Sequence, residues 1–71
     1  MHKETTYIVY RDDVNAYADH NSASQQITKG DHCIPIAPVL WGGVQMLGIL
    51  LRGKIVYATR DRFEHSCMPM T

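Results

Sequence analysis

The chain is poor in the residues that build or staple a large core. Its 71 residues include one Trp, one Phe and two Cys. Two cysteines are too few for the disulfide framework of a small secreted domain, so free thiols are expected. Charge of either sign is also lacking in excess, with seven Lys and Arg against seven Asp and Glu. That balance argues against a strongly basic nucleic-acid binder and against an acidic mimic of nucleic acid. The catalytic signatures G-x-S-x-G, P-loop and H-E-x-x-H are missing, as are C-x-x-C and H-x3-H. A protein that is not an enzyme and carries no cofactor is therefore expected. The start, MHKETTYIVYRDD, has no positive region followed by an apolar stretch and a small-residue cleavage site. A cytoplasmic location follows as the default expectation.

What is present is one uncharged run, Cys33 to Leu51, in which Gln45 is the single strongly polar side chain. Its length exceeds the roughly 18 apolar residues that suggest a membrane span. Pro35 and Pro38, however, would disrupt a helix near its start. The remainder from Pro38 to Leu51 would make a helix of roughly 21 Å at about 1.5 Å per residue. That falls short of a hydrocarbon core of about 30 Å. A single span over 38–51 is the weaker alternative, and a membrane partner is not expected.

The run reads better as strands. Gly42-Gly43 divides Ile34–Leu40 from Val44–Leu51, and Arg52-Gly53-Lys54 divides the latter from Ile55–Arg60. Apolar runs joined by short glycine-containing turns predict hairpins, here a three-stranded meander. Pro35 and Pro38 fit only an edge strand, where no ladder donor is needed. Upstream, Thr5–Tyr10 is a strand candidate. Asp12 or Asp13 can cap a helix on which Val14, Tyr17 and Ala18 share a face. Ser22 with Gln25 has the capping-box pattern, and Lys29-Gly30 fits a helix stop. A weakly amphipathic helix over 12–29 is expected. The fold class is thus α+β: an N-terminal strand and helix against a three-stranded antiparallel sheet. All of 1–71 would form one small domain.

Three groups of side chains are site candidates. If 52–62 stays extended, Arg52, Lys54, Arg60 and Arg62 share a face with Val56 and Ala58. Such a stripe would meet phosphates, which makes nucleic acid the alternative partner. Lys and Arg on edge strands also serve simply to prevent aggregation. His32, Cys33, His65 and Cys67 are of the residue types zinc prefers, with His65-x-Cys67 the more favourable pair. Adjacent His32 and Cys33 would point to opposite faces, so no metal site is assigned. Val39, Leu40 and Trp41 are candidates for a protein contact, because tryptophan is a favoured interface anchor. Self-association is a further expectation, since so short a chain buries a modest core.

The segment Val56-Tyr57-Ala58-Thr59-Arg60-Asp61-Arg62-Phe63-Glu64-His65-Ser66-Cys67-Met68 resembles the end of a group of short enterobacterial prophage proteins of unknown function. Lys29-Gly30-Asp31 resembles the Gly-Asp that opens their small SH3-like barrel. Arg62 departs from the glycine that the group often has. The resemblance implies a partial SH3-like barrel and a prophage accessory role. Together these readings lead to a non-enzymatic interaction or regulatory protein that binds a host protein.

Overall fold

A computed structural model describes residues 5–70. The elements are β1 (Tyr7–Val9), β2 (Val14–Ala16), β3 (Gln25–Ile27), β4 (His32–Trp41), β5 (Val44–Leu51), β6 (Lys54–Thr59), α1 (Arg60–Ser66) and β7 (Cys67–Pro69). Strands β6-β5-β4-β1-β7 form a five-stranded antiparallel sheet, and β2-β3 form a separate two-stranded one. The large sheet is open, ending at β6 and β7, so the barrel implied by the resemblance is not closed.

The expected meander is present. Trp41 pairs with Val44 across Gly42-Gly43, and Leu51 pairs with Lys54 across Arg52-Gly53. All four turn residues have positive φ. Two-residue turns of that kind match the twist of antiparallel strands, and glycine is their default occupant. Arg52 is the non-glycine exception at φ 52°, and its guanidinium is held 2.6 Å from the Asp31 carboxylate. The uncharged run is therefore two strands of a hairpin. No helix among the described residues is long and apolar enough to cross a membrane, which overturns the single span over 38–51.

β4 lies inside the strand order, yet most of it is an edge. β1 reaches only His32 and Cys33, leaving the stretch with Pro35 and Pro38 without a neighbour on that side. The pairing slips between Pro35 and Ala37. Pro35 then stands opposite Ile49 and Pro38 opposite Leu47, two residues apart on β5 and hence on one face. In a regular strand, prolines three apart would face opposite ways.

The helix expected over 12–29 is not there. Val14 and Ala16 are buried and Asn15 is exposed, the period of a strand rather than of a helix. β2 pairs with β3, and Tyr17 continues it against β6: each of Tyr17 and Tyr57 donates its N–H to the other's carbonyl at 2.8 Å. The residues read as helix punctuation close turns instead. Asp12 Oδ1 accepts from the Lys29 N–H at 2.6 Å, and its carbonyl accepts from the Gln26 side chain. Ser22 Oγ donates to Asp19 Oδ1 at 3.1 Å, and Gln25 opens β3. Gly30 sits at φ 97° in a turn closed by the Asp31 N–H and the Thr28 carbonyl at 3.0 Å.

The helix lies elsewhere, at Arg60–Ser66, where an extended segment was expected. Thr59 precedes it in extended conformation, Asp61 occupies its first turn, and His65 occupies its last. Both placements suit the helix dipole. Arg60 and Glu64 form an i,i+4 pair at 3.3 Å on its exposed side. Phe63 is buried on the other side, with its ring centroid 5.1 Å from that of Tyr7. Around it gather Val9, Val14, Ala16, Ile27, Cys33, Ile49, Ala58 and Cys67. Fully burying a phenylalanine contributes about 1.5–3 kcal/mol, a large share for so small a core.

Gly48 is buried, and a Cβ there would lie 3.1 Å from Cε2 of Tyr57. Gly48→Val should therefore destabilise the fold by about 1–3 kcal/mol through overpacking. Gly42→Asn, at φ 55°, should change stability by less than about 0.5 kcal/mol, because asparagine suits that turn position. Urea unfolding of the two variants side by side checks both values.

Candidate functional site

The slip in β4 decides which side chains of the hairpin face outward. One face of the β4-β5-β6 meander carries Cys33, Ile49 and Ala58 and closes on the core. The opposite face follows from the register. It carries Ile34, Ala37, Val39 and Trp41 from β4, then Val44, Met46, Gly48 and Leu50 from β5. Ile55, Tyr57 and Thr59 complete it from β6. No residue in this set carries a charge. The solvated face of an antiparallel sheet normally alternates to polar side chains, so an uncharged outer face calls for cover.

Part of the cover comes from the connection between β2 and β3. The Tyr17–Tyr57 backbone pair carries this connection across the edge of β6. The Tyr17 ring then meets Trp41 at 6.2 Å between centroids, with planes 74° apart. His20 meets Trp41 at 5.9 Å and 64°, and Tyr57 meets it at 4.9 Å and 50°. Aromatic pairs favour such tilted and edge-to-face arrangements. Met46 is buried beneath this group. A cavity of about 220 Å³ remains, lined by Tyr17, His20, Trp41, Val44, Met46 and Thr59. Next to His20, Asp19 Oδ1 accepts from the Asn21 N–H at 2.8 Å. That bond, with the one from Ser22, holds the Asp19 carboxyl below its ordinary value. A carboxylate therefore stands one residue from the aromatic group at neutral pH.

The structure splits the proposed contact residues Val39, Leu40 and Trp41. Val39 and Trp41 are half-buried on the outer face. Leu40 turns to the other face, beyond the reach of the core, and is 69% exposed. The sequence reading did not group Tyr17, His20, Val44 or Tyr57 with Trp41. A hint lay in the aromatic residues at 17, 41 and 57, but their convergence depends on pairing between distant strands.

The four cations do not form a stripe, because the segment turns helical at Arg60. Arg52 sits in the β5–β6 turn against Asp31, and Lys54 opens β6. Arg60 pairs with Glu64, and Arg62 pairs with Asp13 at 3.0 Å. Asp13 also accepts from the hydroxyl of buried Ser66 at 2.5 Å, which ties α1 to the start of β2.

Of the zinc candidates, the two thiols meet in the core and the two histidines stay outside it. His32 and His65 are exposed, while Cys33 and Cys67 are buried on the two strands flanking β1. Two strand spacings of about 4.8 Å exceed the roughly 7 Å Cα separation that a disulfide spans. The hydrogen bond with the Cys33 thiol, and then burial, push the Cys67 thiol up. The same hydrogen bond draws the Cys33 thiol down. Among the described residues no three His, Cys, Asp or Glu side chains are placed to hold a metal ion.

A second hollow, about 450 Å³, runs beside the free edge of β4 between Pro35, Pro38 and Leu47 on one side and Phe63 and Tyr7 on the other. Arg60 and Glu64 stand in its lining. Comparison of the chain with family models, with curated proteins and with solved structures gives no match.

The Asp13 carboxyl is held below its ordinary value, first by the Ser66 hydroxyl and further by Arg62. Its stabilising effect is present above the unfolded carboxyl value, near pH 4, and is lost as pH falls through the lower folded value. Asp13→Asn keeps an acceptor for Ser66 and removes the charge. It should lower stability at pH 7 and flatten the loss of stability below about pH 4. Thermal melts from pH 2 to 7 check the difference.

Proposed function

We propose that this chain is a non-enzymatic interaction protein that binds a protein partner through the outer face of its β4–β5 hairpin. The observation that carries the reading is the uncharged outer face. Val44 at 51% stands exposed on it beside half-buried Trp41, and Ile55 at 52% stands exposed at its far end. Leu40 extends the apolar surface around the tip. An apolar face that carries a partly buried tryptophan has an anchor of the kind found in binding hot spots. The two-residue turns hold the hairpin in shape, so little ordering is required on association. The resemblance of the C-terminal half to prophage proteins makes a host protein the expected partner. The nucleic-acid alternative has less support, because three of its four cations already face a carboxylate.

A photo-crosslinking amino acid placed at Val44 or Ile55 should give a discrete adduct in cells. The same group at exposed Lys29, outside this face, should not. An adduct of twice the chain's mass would identify the partner as a second copy. Equal labelling at all three positions, or none, would overturn the reading.

A further inference from the structure

We propose that the cavity between Trp41, Tyr17 and His20 is a binding site for an alkylammonium cation, the group presented by a methylated lysine side chain or a choline headgroup. The inference builds on the interaction reading above and names the chemistry that the face would recognise in a partner's side chain.

The argument starts from the rings. An aromatic face is electron-rich, and a cation within about 6 Å of its centroid is attracted, most strongly by tryptophan. A site for such a cation needs rings turned toward a common space rather than stacked flat on one another. Tyr17 and His20 meet Trp41 at 74° and 64°, close to perpendicular, and all three rings line the same cavity. The space of about 220 Å³ accommodates a group of about five heavy atoms.

The remaining walls select the kind of cation. Val44 and Met46 are apolar, and Thr59 supplies one hydroxyl. A bare ammonium is strongly hydrated and needs several acceptors once it leaves water. An alkylated ammonium carries its charge under methyl groups, which suit a valine, a polarizable thioether and aromatic faces. No Lys or Arg lines the cavity, so no resident cation competes for it. Asp19, held by Asn21 and Ser22, precedes His20 in the chain and is exposed.

Trp41 is the sole tryptophan of the chain, so its emission reports on this cavity without a label. Titrating the full chain with tetramethylammonium chloride against sodium chloride of equal ionic strength should give a saturable change. The expected Kd is on the order of 1–10 mM. N-trimethyl-lysine should bind with similar strength and free lysine at least about tenfold more weakly. Tyr17→Leu should weaken binding about fivefold or more. Val44→Glu, which places a carboxylate at the rim without removing a ring, should tighten it severalfold and keeps the test open if Tyr17→Leu does not fold. A peptide carrying trimethyl-lysine that binds more tightly than choline would assign the site to a protein partner, and the reverse would assign it to a headgroup. A response that does not saturate, or that ignores both substitutions, would overturn the site. Ammonium binding without a crosslinked partner would keep the cavity and remove the interaction reading. An adduct without ammonium binding would do the opposite.

Discussion

The β4 strand contains one residue more than its pairing with β5 requires, and the orientation of the hairpin follows from where that residue is absorbed. In an unbroken strand, Cys33, Pro35, Val39 and Trp41 would all point to one face. Cys33 belongs to the core, so Val39 and Trp41 would have followed it inward. The slip between Pro35 and Ala37 reverses the second half of the strand. A one-residue shift moves every later side chain across the sheet. Trp41 is thereby set on the outer face with Val44, and Leu40 faces the core side, where no core remains to receive it. The same slip aligns Pro35 with Pro38, beside the groove along the free edge. Prolines on that edge also limit its use as a template for pairing with another chain.

Two small fastenings then position what surrounds the hairpin. Asp13 holds α1 through Ser66 and Arg62, so the helix that carries Phe63 is tied to the strand that carries Val14 and Ala16. The Tyr17–Tyr57 backbone pair holds the other end of that strand to the edge of β6. Between them, a three-residue strand is fixed at both ends. One end closes the core, and the other brings Tyr17 and His20 to Trp41. Stability and the aromatic cavity are therefore coupled through β2, although Phe63 and Trp41 belong to opposite faces of the sheet.

Part of this was legible in the residues. Gly42-Gly43 and Arg52-Gly53-Lys54 marked both hairpin turns, because positive φ is a local demand that glycine meets. The apolar stretches on either side marked the strands. The segment 12–29 misled because Val14, Tyr17 and Ala18 satisfy a helical spacing as readily as Val14 and Ala16 satisfy a strand. In three-residue strands, long-range pairing outweighs such weak local preference. Asp12, Ser22 and Gly30 are helix-boundary residues and turn residues alike, for the same hydrogen-bonding reasons. At 60–66 the clue was present in Arg60 and Glu64 at i,i+4 around a central Phe63. The even spacing of Arg52, Lys54, Arg60 and Arg62 concealed it.

The sequence by itself determined the β4-β5-β6 meander, the free thiols, the balanced charge and the uncharged surface of the 33–51 run. Each of these depends on composition or on neighbours a few residues apart. Only the tertiary structure decided which face of that surface lies outside, that 60–66 winds into a helix, and that Tyr17, His20, Trp41 and Tyr57 meet. Those outcomes rest on a single-residue slip between strands and on a backbone pair joining residues 17 and 57. Local propensity carries no record of either, because both are chosen by the packing that they complete.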